Sequence, residues 1–119
     1  MANINESLAN LLQSDGAMCA ALVDANSGMT LGRAGSGLDL DLAAAGNTEV
    51  VRAKMKTMKS LGLADAIEDI LITLGKQYHI IRPLPGNDAL FIYLVLDKTK
   101  GNLALARHHL VSIANDLVV

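Results

Sequence analysis

Three apolar runs stand close together in the second half of the chain: Ile70-Leu71-Ile72-Thr73-Leu74, then residues 78–84, then residues 89–96. Gly75-Lys76 separates the first two and Pro85-Gly86-Asn87-Asp88 the last two. Each run has strand length, is rich in Ile, Leu, Val and Tyr, and ends in turn formers, so the pattern predicts an antiparallel meander. The third run, Leu90-Phe91-Ile92-Tyr93-Leu94-Val95-Leu96, is apolar without alternation. A strand of that kind needs cover on both faces, which predicts a central position with helices above and below.

The rest of the chain supplies that cover. Ile4, Leu8, Leu11 and Leu12 recur at helical spacing, with Asn3 and Glu6 placed for a capping-box-like start and Gly16 closing the segment. Residues 17–23 form a second apolar run. Asp24-Ala25-Asn26-Ser27-Gly28 turns it into a shorter mixed strand, residues 29–33, whose Thr30 and Arg33 suit a sheet edge. The glycines of Gly32-Arg33-Ala34-Gly35-Ser36-Gly37 follow the order G-x-x-G-x-G with no Lys-Ser or Lys-Thr after them. Neither a dinucleotide fingerprint nor a phosphate loop is met, and the stretch reads as a flexible connector. Residues 39–61 carry the longest helical pattern, with Leu40, Ala44, Val51, Met55 and Met58 near one stripe and Asp39 or Asp41 available as N-cap. Its middle is small, Ala43-Ala44-Ala45-Gly46. Its last turns collect cations: Arg52, Lys54, Lys56 and Lys59. Gly101-Asn102 opens a final helix with Leu103, Ala106, Leu110, Ile113 and Leu117 on one stripe. Cys19, Leu22, Ile92, Leu94, Leu110 and Ile113 are expected in one core.

Composition narrows the function classes. A chain of 119 residues, 51% hydrophobic and 18% charged, suits one domain over residues 1–119. A formal net charge of -2 carries no footprint for nucleic acid or acidic lipid. With no leader-like start and no apolar run near the roughly 20 residues of a membrane span, a cytoplasmic protein without membrane insertion is expected. The one cysteine, Cys19, lies in an apolar run and reads as core. His108 and His109 are about 100° apart on a helix and cannot share a metal from one face, and His79 sits in a strand, so all three read as structural. Asp65, Glu68 and Asp69 read as a solvated turn. No catalytic constellation, metal set or cofactor motif is found, so no enzyme, cofactor or metal function is expected.

The order helix, strand, strand, long helix, three strands, helix resembles the roadblock family, which includes a dynein light chain and bacterial regulators of Ras-like GTPases. The resemblance is carried by Gly16-Ala17-Met18-Cys19-Ala20-Ala21-Leu22-Val23-Asp24 with Ser27-Gly28, by Leu71-Ile72-Thr73-Leu74 and His79-Ile80-Ile81, by Leu94-Val95-Leu96-Asp97, and by Asn102-Leu103-Ala104-Leu105-Ala106-Arg107. It implies an α+β, profilin-like fold, αββαβββα, with a five-stranded antiparallel sheet of order 2-1-5-4-3. The long helix would cover one face and the terminal helices the other. It also implies a homodimeric platform for a Ras-like small GTPase, with a GTPase-activating or scaffolding role. The alternatives are a motor- or signalling-complex adaptor without GTPase effect and a small-ligand sensor. None of Arg33, Arg52, Arg82 and Arg107 is assigned as an arginine finger. In that fold Ile70, Leu71, Ile72, Thr73 and Leu74 form a sheet edge with no Lys, Pro or bulge to protect it, so they are expected at the dimer interface with Ala45, Gly46, Val51 and Met55 of the long helix. Arg52, Lys56 and Lys59 are the expected partner contacts.

Overall fold

The computed structural model describes residues 3–118. Its elements run α1 (Ile4–Leu11), β1 (Ala17–Asp24), β2 (Met29–Gly35), α2 (Leu40–Ser60), β3 (Ile70–Thr73), β4 (Gln77–Leu84), β5 (Asn87–Asp97) and α3 (Leu103–Asp116). One antiparallel sheet carries the strands in the order β2-β1-β5-β4-β3. This is the α+β arrangement expected from the sequence, with the two most apolar strands adjacent at the centre.

The pleat of β5 divides the core in two. Ile92, Leu94 and Leu96 point to a layer built from Leu8 and Leu11 of α1 and Ala106, Leu110 and Ile113 of α3. Phe91, Tyr93 and Val95 point the other way, to Leu40, Ala44 and Val51 of α2. Because side chains alternate along a strand, Cys19 and Leu22, three residues apart, face opposite layers. Cys19 therefore belongs under α2 and not in the core expected for it; Leu22, Ile92, Leu94, Leu110 and Ile113 do share one cluster.

Local chemistry sets the element ends. Asn3 Oδ1 accepts from the Glu6 amide at 2.8 Å, Asp39 Oδ1 from Leu42 at 3.2 Å and Asn102 Oδ1 from Leu105 at 3.1 Å, so all three helices begin on a side-chain cap. The glycine-rich stretch proves to be ordered in its first half. β2 extends to Gly35, and a Cβ at Gly32 would lie 2.5 Å from Ile4 Cγ2, so the glycine lets α1 approach the strand closely. At the β4–β5 tip Leu84 pairs with Asn87 across Pro85-Gly86, with Gly86 at φ 71°. Proline followed by a left-handed glycine suits a type II turn, tighter than the four-residue connection expected.

β3 is short for a reason lying in its neighbour. Leu74 N donates to Gln77 O at 2.9 Å, and strand pairs that exchange both bonds recur every second residue, so Ile72–His79 and Ile70–Ile81 follow. The next such pair would set Glu68 opposite Pro83, which has no N–H to give. The chain peels away there, and residues 61–69 cross from α2 to β3 as an exposed strap with Ile67 and Asp69 turned inward.

Candidate functional site

The face of α2 that turns away from the sheet, the strap and the β3 edge collect the residues singled out in the sequence. Ala45 and Gly46 are exposed on the helix, and a Cβ at Gly46 would meet nothing within 4 Å, so the chain's own packing does not call for glycine there. Ile70, Leu71 and Ile72 are half-buried along the edge strand, while Thr73 and Leu74 are exposed. Val51 corrects the expected interface: it is 0% exposed beneath α2, in contact with the sheet, and presents no surface to a second molecule. Its position on the stripe Leu40, Ala44, Thr48, Val51 already committed it to the core.

That stripe continues as Met55 and Met58, but the sheet beneath it does not, and both methionines are only partly buried. Under this overhanging end lies a groove of about 720 Å³. Met55, Met58, Leu63, Pro83 and Leu84 supply its apolar surface, and the strap and the β4–β5 tip form its far wall. Sequence reasoning missed it. The available signal was Pro83 inside an otherwise strand-like run, since that residue ends β3 and opens the gap.

The cation cluster divides. Arg52, Lys56 and Lys59, spaced i, i+4 and i+7, share an exposed face of α2, and none of them forms an ion pair among the described residues. Lys59 also lines the groove. Lys54 lies on the other flank, with Val50, Ile67 and Ile70 around a second depression of about 490 Å³ between α2 and the β3 edge.

The remaining polar residues hold the scaffold. Arg107 donates from Nε to Asp69 Oδ2 and from Nη2 to Asp69 Oδ1, both at 2.9 Å, so Asp69 is ion-paired and not part of a solvated turn as expected. The His79 ring lies 2.9 Å from Gln77 Oε1 through Nε2 and 2.8 Å from the Tyr93 hydroxyl through Nδ1. A neutral imidazole with its proton on Nε2 satisfies both contacts, and burial holds the His79 pKa below its ordinary value. Burial pushes the Tyr93 phenol up to about 12, an effect that the Asn47 side chain of α2 partly offsets. Burial likewise raises the Cys19 thiol, which keeps it protonated and unreactive. His109 Nδ1 pairs with Ser14 Oγ at 2.8 Å. Among the described residues no three His, Cys, Asp or Glu side chains stand together as metal ligands, and no helix is long and apolar enough to cross a membrane.

No family model and no curated protein matches the chain. Solved structures do. MglB of Myxococcus xanthus superimposes with a TM-score of 0.83 over 95% of this chain and 89% of its own, at 19% identity. A roadblock/LC7 domain from Streptomyces avermitilis gives 0.82 over 97% and 94%, at 11% identity. This chain has the roadblock fold. The gliding protein MglB of Thermus thermophilus adds a TM-score of 0.70 over 93% and 87%, at 23% identity. In roadblock terms the candidate site lies on the helix between the second and third strands and on the outermost strand that follows it, with the groove at their far end.

Proposed function

We propose that this chain is a non-enzymatic, dimeric platform in the cytoplasm that binds and regulates a Ras-like small GTPase. The observation that carries the reading is the roadblock fold itself, shared with MglB over nearly the whole length of both chains. The open β3 edge supports the dimer. Two such edges pairing about a two-fold axis would extend the sheet, and Ala45 and Gly46 would let the two α2 helices approach closely. Arg52, Lys56 and Lys59 are the proposed contacts for an acidic surface of the GTPase, a solvated cationic row able to steer encounter.

The test is a titration of each Ras-like GTPase of the host, loaded with GTP analogue or GDP, at low and moderate salt. Wild type should bind at least one of them. Lys56→Glu combined with Lys59→Glu should slow association and flatten its salt dependence, because rim charges act mainly on the on-rate. Absence of binding to every such GTPase refutes the reading; unchanged binding by the double variant removes only the contact site. GTP turnover with and without this chain then separates a regulator from a scaffold.

A further inference from the structure

The groove beneath the end of α2 is walled by three separate elements, the helix, the strap and the β4–β5 tip, and its walls differ in charge. Asp65 and Glu68 of the strap and Asp88 of the tip line it, all three exposed and none of them in an ion pair among the described residues. Lys59 faces them from the helix wall without pairing to any of the three. Arg82 borders the groove, but its strand partner Ile92 faces α1 and α3, so its guanidinium lies on the other side of the sheet. The charge balance inside is therefore negative. The backbone adds an acceptor: Pro83 turns its C=O toward the place that β3 has vacated, where no β3 amide meets it. Between the acids and the helix lies apolar surface, chiefly Met55, Met58, Leu63 and Pro83. The volume of about 720 Å³ falls within the roughly 300–1,000 Å³ of clefts that hold a ligand or an anchoring side chain, and the two methionines can adapt to its shape.

From this arrangement we infer that the groove holds a short cationic segment of a partner protein, which seats one bulky apolar side chain against Met55, Met58 and Pro83 and sets flanking Lys or Arg side chains against Asp65, Glu68 and Asp88. Lys59 orients the segment, because cations turned toward the helix would meet its ammonium group. This goes beyond the GTPase contact proposed above. The row Arg52, Lys56 and Lys59 suits an acidic surface, so the groove is a second contact of opposite charge. It stays open in the proposed dimer: no β3 residue lines it, and Lys59 stands about 20 Å along the helix from Gly46.

A display library of short random peptides, selected on the full-length protein, tests this without any GTPase present. The expected consensus combines one large apolar residue with neighbouring Lys or Arg. A synthetic peptide of that consensus should shift the Met55 and Met58 methyl signals in a methionine-labelled NMR spectrum and leave Met18 and Met29 in place. Glu68→Gln combined with Asp88→Asn, two changes at exposed positions that make no bond within the fold, should weaken the peptide by about fivefold at low salt. Added salt should bring the two proteins together. Lys59→Glu should instead tighten the peptide by about threefold, whereas the GTPase contact is expected to weaken when Lys56 and Lys59 become Glu. The opposite signs tell a failure of one contact from a failure of the other. A neutral or acidic consensus, no selected peptide, shifts at Met18 or Met29 in place of Met55 and Met58, or unchanged affinity in the Glu68→Gln, Asp88→Asn variant overturns the inference.

Discussion

Arg107 of α3 grips both carboxylate oxygens of Asp69, with two bonds of 2.9 Å, and so ties a helix on one face of the sheet to the residue before its outermost strand. The Asp69 side chain is 12% exposed and the Arg107 side chain 48%. A two-bonded pair of this geometry exceeds the usual surface ion pair, yet water still screens its arginine side. Arg107→Met keeps most of the stem packing and removes the two bonds. It should lower unfolding stability in urea by about 1 kcal/mol. Added salt should reduce the wild-type value toward that of the variant and leave the variant unmoved; equal stability of the two proteins at low salt would show that the pair contributes nothing.

His79 makes the fold sensitive to mild acid. Its folded pKa lies below the ordinary 6.5, because burial disfavours the charged ring. The unfolded chain therefore takes up the proton first, and the stabilisation present above pH 6.5 is lost as the pH falls through that value toward the folded pKa. Protonation also puts a second donor on the ring where the Tyr93 hydroxyl now donates. Urea midpoints for wild type should fall between pH 7.5 and 5.5. In His79→Gln that part of the fall should be missing, and parallel curves for the two proteins would exclude the imidazole as its source.

The architecture was legible because hydrophobic pattern and turn residues agree along most of the chain. The unbroken run around Leu94 could only be a central strand, and Asn3, Asp39 and Asn102 stand where helices begin. Two misplacements could have been avoided: an odd spacing along a strand already sends Cys19 and Leu22 to opposite layers, and the stripe of α2 already puts Val51 in the core. What the stripe does not say is where the sheet beneath it stops, and Met58, seven residues after Val51, overhangs open space. Asp69 and Arg107 lie 38 residues apart, and no local pattern links them.

Pro83 is the residue whose effect is most directly testable. If its missing N–H is what stops β3 at Ile70, Pro83→Val restores a donor opposite Glu68 and lets the strand lengthen toward the strap. Hydrogen exchange should then show a protected amide at residue 83 and slower exchange of the Glu68 amide that pairs with it. The groove should narrow. A residue-83 amide that exchanges as fast as those of the Gly86 turn would mean that something other than the proline ends the strand.

The last prediction concerns the edge that is proposed to join two chains. Since Leu74, Ile72 and Ile70 direct their backbone bonds to β4, the N–H and C=O groups of Leu71 and Thr73 point outward, where a second edge would meet them. Thr73 is exposed, so Thr73→Pro removes one outward donor while sparing the ladder to β4 and the core, a placement that edge strands tolerate. Ile72→Pro is the contrasting change, because it deletes a donor to His79 inside the sheet. Light scattering at tens of micromolar should find wild type dimeric, Thr73→Pro monomeric with an unchanged far-ultraviolet spectrum, and Ile72→Pro visibly destabilised. A wild-type monomer would remove the dimer altogether, and a Thr73→Pro dimer as tight as wild type would move the contact from the β3 edge to the α2 face around Ala45 and Gly46.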